Sequence, residues 1–118
     1  MPAPDLARPT KVEAKLVISK PTNATALTVL TCPSDSIIRV RTVYVNNTTA
    51  SGQAFNLTVT RSSVAYALIS GVTVTAKNLF NAINVEDALY LEPGDVLSFS
   101  QVASSAALNL FVSYELVT

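Results

Sequence analysis

The sequence predicts an all-β fold: an antiparallel β-sandwich, jelly-roll-like, with eight or nine short strands behind an extended N-terminal arm. Three observations lead there. Stretches of strand length alternate apolar and polar residues. Turn chemistry interrupts them about every ten residues, the spacing of sandwich strands. No stretch carries the periodicity of a long helix. A chain of 118 residues makes one domain, here divided into an arm at 1–10 and a β-sandwich at 11–118.

The arm, MPAPDLARPT, holds three prolines. Proline lacks an amide donor and favours extended backbone, so the segment is not a central strand. Two readings compete, a frayed terminus and an arm laid on a neighbouring subunit. In the second, Leu6 enters an apolar pocket while Asp5 or Arg8 meets a partner charge.

The strands follow in order. Val12, Ala14, Leu16 and Ile18 alternate with Glu13, Lys15, Val17 and Ser19, the pattern of a half-buried strand. Lys20-Pro21-Thr22-Asn23 breaks it. Residues 25–31 are rich in Thr, Leu and Val and form a second strand. Cys32-Pro33-Ser34-Asp35 is a turn. Residues 37–46 are the strongest strand, but apolar residues occupy both phases: Ile38, Val40 and Tyr44 in one, Val43 and Val45 in the other. A central position, or a bulge between Arg41 and Val43, accounts for this.

A loop by composition covers 47–52. Phe55, Leu57 and Val59 then alternate with Asn56, Thr58 and Thr60. Residues 63–69 read as strand or irregular edge ending near Gly71. Residues 72–85 turn near Lys77-Asn78. Residues 88–91 lead into Glu92-Pro93-Gly94-Asp95, where proline fixes one φ and glycine tolerates the other. Val96–Gln101 is a strand. Leu108, Leu110, Val112, Tyr114 and Leu116 share one face of the last. Strong strands at both ends of the sandwich segment are expected to pair within the core.

Composition narrows function. Eight basic and eight acidic residues give a net charge of zero, only 14% of residues are charged, and 49% are hydrophobic. So sparse a charge suggests that part of the surface meets other protein. No basic cluster exists for nucleic-acid phosphates. The sequence has no histidine, which removes the commonest proton carrier and zinc ligand. Its one cysteine, Cys32, reads as a small buried hydrophobe. Ser and Thr are abundant but lack an activating base. No phosphate-cradling Gly-rich loop opens a helix. Glu92 and Asp95 could offer oxygens to calcium, but ordinary turn chemistry explains them better. Arg39 and Arg41 lie on one strand face and are expected to pair with carboxylates of a neighbouring strand or subunit; sugar or phosphate binding is the alternative. The sequence therefore points to no enzyme, no cofactor and no metal. No apolar run reaches membrane-spanning length, and no signal-peptide pattern is present, so synthesis and folding in a cytoplasm are expected.

Two stretches carry a resemblance. In IIRVRTVYVNNTTASGQAFNLTVTR, residues 37–61, an arginine-bearing strand runs into NNTT and a small-residue loop before an alternating strand. In LYLEPGDVLSFSQVASSAALNLFVSYEL, residues 89–116, a Leu-Glu-Pro-Gly-Asp turn precedes a strand, an Ala/Ser loop and a final alternating strand. Together they resemble small β-sandwich structural proteins of tailed bacteriophages. The matching residues are Asn46, Asn47, Thr48, Leu91, Glu92, Gly94 and Asp95, and the role the resemblance implies for them is loop shaping. It further implies a virion component made in the bacterial host cytoplasm, most simply a capsid decoration or cement protein. Its partners would be further copies and other virion proteins, the major capsid protein first, without direct contact to nucleic acid or membrane. A head–tail junction, tail or baseplate protein is the alternative, and a carbohydrate-binding module of a tail fibre the second. The interaction residues expected are Asp5, Leu6, Arg8, Arg39, Arg41, Asn46, Asn47 and Thr48.

Overall fold

The computed structural model describes residues 11–118 apart from Val85 and Asp87. The arm, with Asp5, Leu6 and Arg8, lies outside the described residues. Nine strands are present among them: β1 (Val12–Ser19), β2 (Leu27–Thr31), β3 (Ile37–Asn47), β4 (Gln53–Arg61), β5 (Val64–Val74), β6 (Leu79–Ile83), β7 (Leu89–Leu91), β8 (Val96–Gln101) and β9 (Leu108–Val117). They form two antiparallel sheets. One runs β1-β9-β3-β6, with β7 also paired to β3; the other runs β2-β8-β4-β5. Consecutive strands switch sheets except at the β4–β5 hairpin and at β6–β7. This connectivity is that of a jelly roll, as the sequence predicts. The first and last strands pair from Val12 opposite Val117 to Ser19 opposite Leu110, and β9 sits between β1 and β3.

The two inner faces interdigitate to form the core. Val40, Val43, Val45, Leu91, Leu108, Leu110 and Val112 come from one sheet, and Phe55, Leu57, Leu97 and Phe99 from the other; all are fully buried. Phe55 stacks on Phe99 with ring centroids 5.5 Å apart and meets Phe80 edge-on at 5.7 Å. Because Phe80 belongs to β6, this aromatic group ties the sheets together.

Sequence and structure differ instructively at four places. In β3 the register against β9 shifts between Val40 and Thr42. Arg41 is the extra residue, so Ile38 and Val40 before it and Val43 and Val45 after it all face inward. A bulge is present, one residue earlier than the one expected between Arg41 and Val43, and Tyr44 consequently leaves the phase of Ile38 and Val40 and points outward beside Phe111.

In β1 the expected phase is reversed. Val17 stands opposite Val112, and Ser19 opposite Leu110, both partners fully buried. Register with β9 therefore turns the odd-numbered residues inward and Val12, Ala14, Leu16 and Ile18 outward. Residues 63–74 differ as well. Ser62 and Ser63 both take positive φ, 50° and 65°, and close a two-residue hairpin with Arg61 opposite Val64. The strand then continues through Gly71, whose φ of 67° accommodates a register shift instead of ending the strand. The second strand begins at Leu27, two residues later than expected.

Candidate assembly surfaces

The outer face of the β1-β9-β3 sheet is the first candidate. Register brings Ile18, Phe111 and Tyr44 into one row, and Leu16, Ser113 and Thr42 into the next. A third holds Ala14, Glu115, Arg39 and Tyr90. Leu16 is 59% exposed and Ile18 64%. A face that alternates in the sequence like a buried surface is thus open to solvent in the single chain. Arg39 sits in the third row and donates from Nη1 to Glu115 at 3.2 Å. The pair is partly buried, and ion pairs at a protein surface contribute about 0–1 kcal/mol, so this one shapes the face more than it stabilises the fold. Arg41, on the bulge, keeps its Nε buried without a hydrogen-bond partner among the described residues, as does Arg39. The structure thus pairs Arg39 with a carboxylate, while among the described residues Arg41 has no such bond.

At the end of β3 the Asn46-Asn47-Thr48 stretch is organised by Asn47, which is fully buried. Its amide nitrogen donates to the carbonyls of Ser51, 2.8 Å, and Val74, 2.9 Å. Its side-chain oxygen accepts from the Thr49 amide and hydroxyl. One side chain thereby closes the 48–52 loop and ties it to β5. Asn46 lies on the outer face opposite Asn109, and the Thr48 carbonyl accepts from Lys77 Nζ at 2.7 Å.

The Glu92–Asp95 turn is closed by Asp95 N–H donating to Glu92 O at 3.0 Å, and Gly94 takes φ 87°. The Asp95 carboxylate accepts from the Glu92 amide at 2.9 Å. It also accepts two bonds from Arg61, Nε at 2.8 Å and Nη2 at 2.6 Å. The hydrogen bonds from Arg61 hold this carboxyl below its ordinary range, against the opposing effect of burial. Sequence reasoning found the turn but missed Arg61, since nothing local links a residue 34 positions away. Among the described residues no group of three or more His, Cys, Asp or Glu gathers to hold a metal.

The second candidate lies between β5 and the β6–β7 side of the other sheet. Here the sandwich opens into two hollows that share Leu89. One, of about 290 Å³, is lined by Leu68, Ile69, Ala82 and Ile83 among others. The other, of about 300 Å³, is lined by Val59, Arg61, Tyr66, Leu89 and Tyr90. Tyr66 is 58% exposed and Tyr90 49%.

Cys32 is 2% exposed, and its Sγ donates to the carbonyls of Ser36 and Leu91. Burial pushes the thiol above its ordinary range, away from the thiolate that reacts. No helix among the described residues is long and apolar enough to cross a membrane.

No protein-family model and no curated protein matches the sequence. Among solved structures, the chain is similar to one described under the words "Bacillus endospore appendages form a novel family of disulfide-linked pili". The similarity covers 91% of this chain and 88% of that one, with a TM-score of 0.53 and 14% identity. At that identity the likeness concerns the fold, which two chains can share without sharing a function.

Proposed function

We propose that the chain is a non-enzymatic structural subunit that assembles in many copies, and that its assembly is a virion accessory layer, a capsid decoration or cement. The observation that carries the assembly reading is the outward apolar register of Val12, Leu16 and Ile18, continued by Phe111 and Tyr44. An apolar row on a lone sheet face marks an interaction surface. The resemblance of residues 37–61 and 89–116 to small phage structural proteins supports the virion setting. The arm, with Asp5, Leu6 and Arg8, is the proposed second contact.

Magnitudes support more than one contact per copy. Eight residues of β1 at about 3.3 Å each, across three strands about 4.8 Å apart, give a flat footprint of about 400 Å². A standard interface buries about 800 Å² per partner. Repetition on a lattice compensates for weak individual contacts.

A second reading, a subunit of a filamentous appendage, is favoured by the fold shared with the Bacillus appendage protein. A carbohydrate-binding role draws support from the exposed tyrosines at the hollow, but the charged side chain there, Arg61, is already engaged by Asp95 and Glu92. Electron microscopy of the purified protein, with quantitative mass spectrometry of particles carrying it, separates these. Tens to hundreds of copies per phage head support the decoration role. Six or twelve indicate a junction or baseplate, and open filaments of the protein alone indicate an appendage. A protein monomeric at all concentrations and absent from particles overturns the assembly reading.

A further inference from the structure

We propose that residues 3–7 of one copy add as an extra strand to the free edge of β5 in the next copy, joining copies head to tail. This rests on the assembly reading above and names its contact.

The acceptor is exceptional among the sheet edges of the described residues. β5 ends its sheet and, among the described residues, pairs with β4 alone. It is 11 residues long, VAYALISGVTV, without a charge or a proline. Edge strands are normally protected by charge, proline or shortness. The other edges follow that rule. β1 carries Glu13 and Lys15, paired with each other at 3.8 Å, while β2 and β6 have five residues each and β7 three. Beside the β5 edge, Val64, Tyr66 and Leu68 are each about half exposed, and the two hollows open there. Among the described residues no second strand pairs with this edge, and a largely apolar cleft lies beside it.

The donor has the matching pattern. In an extended strand, both amide direction and side-chain direction repeat every two residues. Pro2 and Pro4 fall in the even phase with Leu6 and Arg8. The odd phase, Ala3, Asp5 and Ala7, keeps its amides. A strand bonding to β5 through its odd residues places the missing amides outward, where an edge strand tolerates proline. The same alternation puts Pro2, Pro4, Leu6 and, at the end of the segment, Arg8 on one face, toward the cleft, and Asp5 on the solvent face. Its outward prolines would then prevent a further strand from adding.

Topology selects a neighbour over the same chain. The arm precedes Lys11, whose amide and carbonyl pair with Thr118 at the β1 edge. β5 lies beside β6, at the opposite side of the sandwich from β1. Reaching it within one copy means reversing direction and crossing about 14 Å, three strand spacings, with no glycine in the ten residues and three prolines resisting reversal. Donor and acceptor on opposite edges make a heterologous contact, which closes into a ring or continues as a filament.

Proline phase provides the test. Sedimentation velocity over a concentration series compares the full chain with A3P/A7P, L6D and R8P. Odd-phase prolines and a charge in the cleft should each weaken self-association at least tenfold while leaving the melting temperature of the dissociated protein unchanged. R8P, in the even phase, should associate like the parent. Undiminished association of A3P/A7P overturns this contact while leaving assembly through the β1 face standing. So does R8P proving as harmful as A3P/A7P, since phase would then be irrelevant. A parent that stays monomeric, and melts lower when A3P/A7P is introduced, overturns both this contact and the assembly reading, and assigns the arm to its own core.

Discussion

Replacing Leu16 and Ile18 together by threonine separates the two roles that an apolar strand face can play. Threonine retains the β-branched preference for extended backbone, so the strand itself is not the target. Burying a Leu or Ile side chain fully is worth about 1.5–3 kcal/mol. Leu16 is still 59% exposed and Ile18 64% exposed in the single chain. About three-fifths of that gain remains for a partner to realise, about 2–4 kcal/mol for the two together. At about 1.4 kcal/mol per tenfold, this corresponds to a loss of roughly thirty-fold to several-hundred-fold in self-association. The isolated fold should hardly notice, since exposed substitutions fall within about 0.5 kcal/mol. Analytical ultracentrifugation reads the first quantity and a thermal melt of dilute protein the second. A melting temperature that falls while association is unchanged would mean that this face is packed against its own chain and meets no partner.

Three further outcomes test the fold itself. Leu110→Ala, at a fully buried position between β1 and β3, should cost about 2–5 kcal/mol and lower Tm by about 10 °C or more; a near-neutral melt would mean that the core is misplaced. Ser62→Asn with Ser63→Gly should raise stability by about 1–2 kcal/mol in chemical denaturation, because two serines now occupy left-handed conformations that cost them energy. Asp95 titrates below its ordinary value because Arg61 hydrogen-bonds its charged form, so its contribution is present above the unfolded value near pH 3.9 and is lost as pH falls through the folded one. Acid unfolding of Asp95→Asn should therefore show a shallower loss of stability below about pH 4 than the parent shows.

Much of the architecture was legible because strand grammar is local. Alternation around Phe55–Val59 and Leu108–Leu116, and the Pro93-Gly94 turn, each carry their cause within a few residues. The same is true of β3, where conflicting apolar phases already point to a central position or a bulge. What was not legible depends on partners distant in sequence. The inward phase of β1 follows from Val17 meeting Val112, and the sequence of β1 alone suggests the opposite. The β4–β5 hairpin was missed because Ser-Ser lacks the Asn-Gly signature that its positive φ angles favour. Gly71 reads as a stop but serves as a bulge, its amide donating to Asn56 Oδ1 at 2.8 Å. Arg61 and Asp95 illustrate the same limit for charges. The candidate assembly surfaces shared it too: Arg39 could be expected to meet a carboxylate, but only the fold identifies Glu115.

Cys32 bears on the kind of force that would hold copies of this chain together in the proposed assembly. The similar appendage protein is described as forming disulfide-linked pili. Here the sequence has one cysteine. Its sulfur is buried beneath the 32–36 turn, hydrogen-bonded to the carbonyls of Ser36 and Leu91, with the reactive thiolate disfavoured by burial. An intermolecular bridge would require that turn to unfold and those contacts to break. The proposed assembly would then rest on apolar burial and main-chain pairing. With 14% of residues charged, screening removes little of that attraction. Assemblies should accordingly survive excess reductant, persist at about 1 M sodium chloride where the Debye length falls to about 3 Å, and dissociate in moderate urea, which solvates both apolar and peptide groups. Cys32→Ala should leave the assembled fraction unchanged in each solvent. Dissociation by reductant alone, or loss of assembly in Cys32→Ala at unchanged Tm, would show that the thiol leaves its buried site and links the copies covalently.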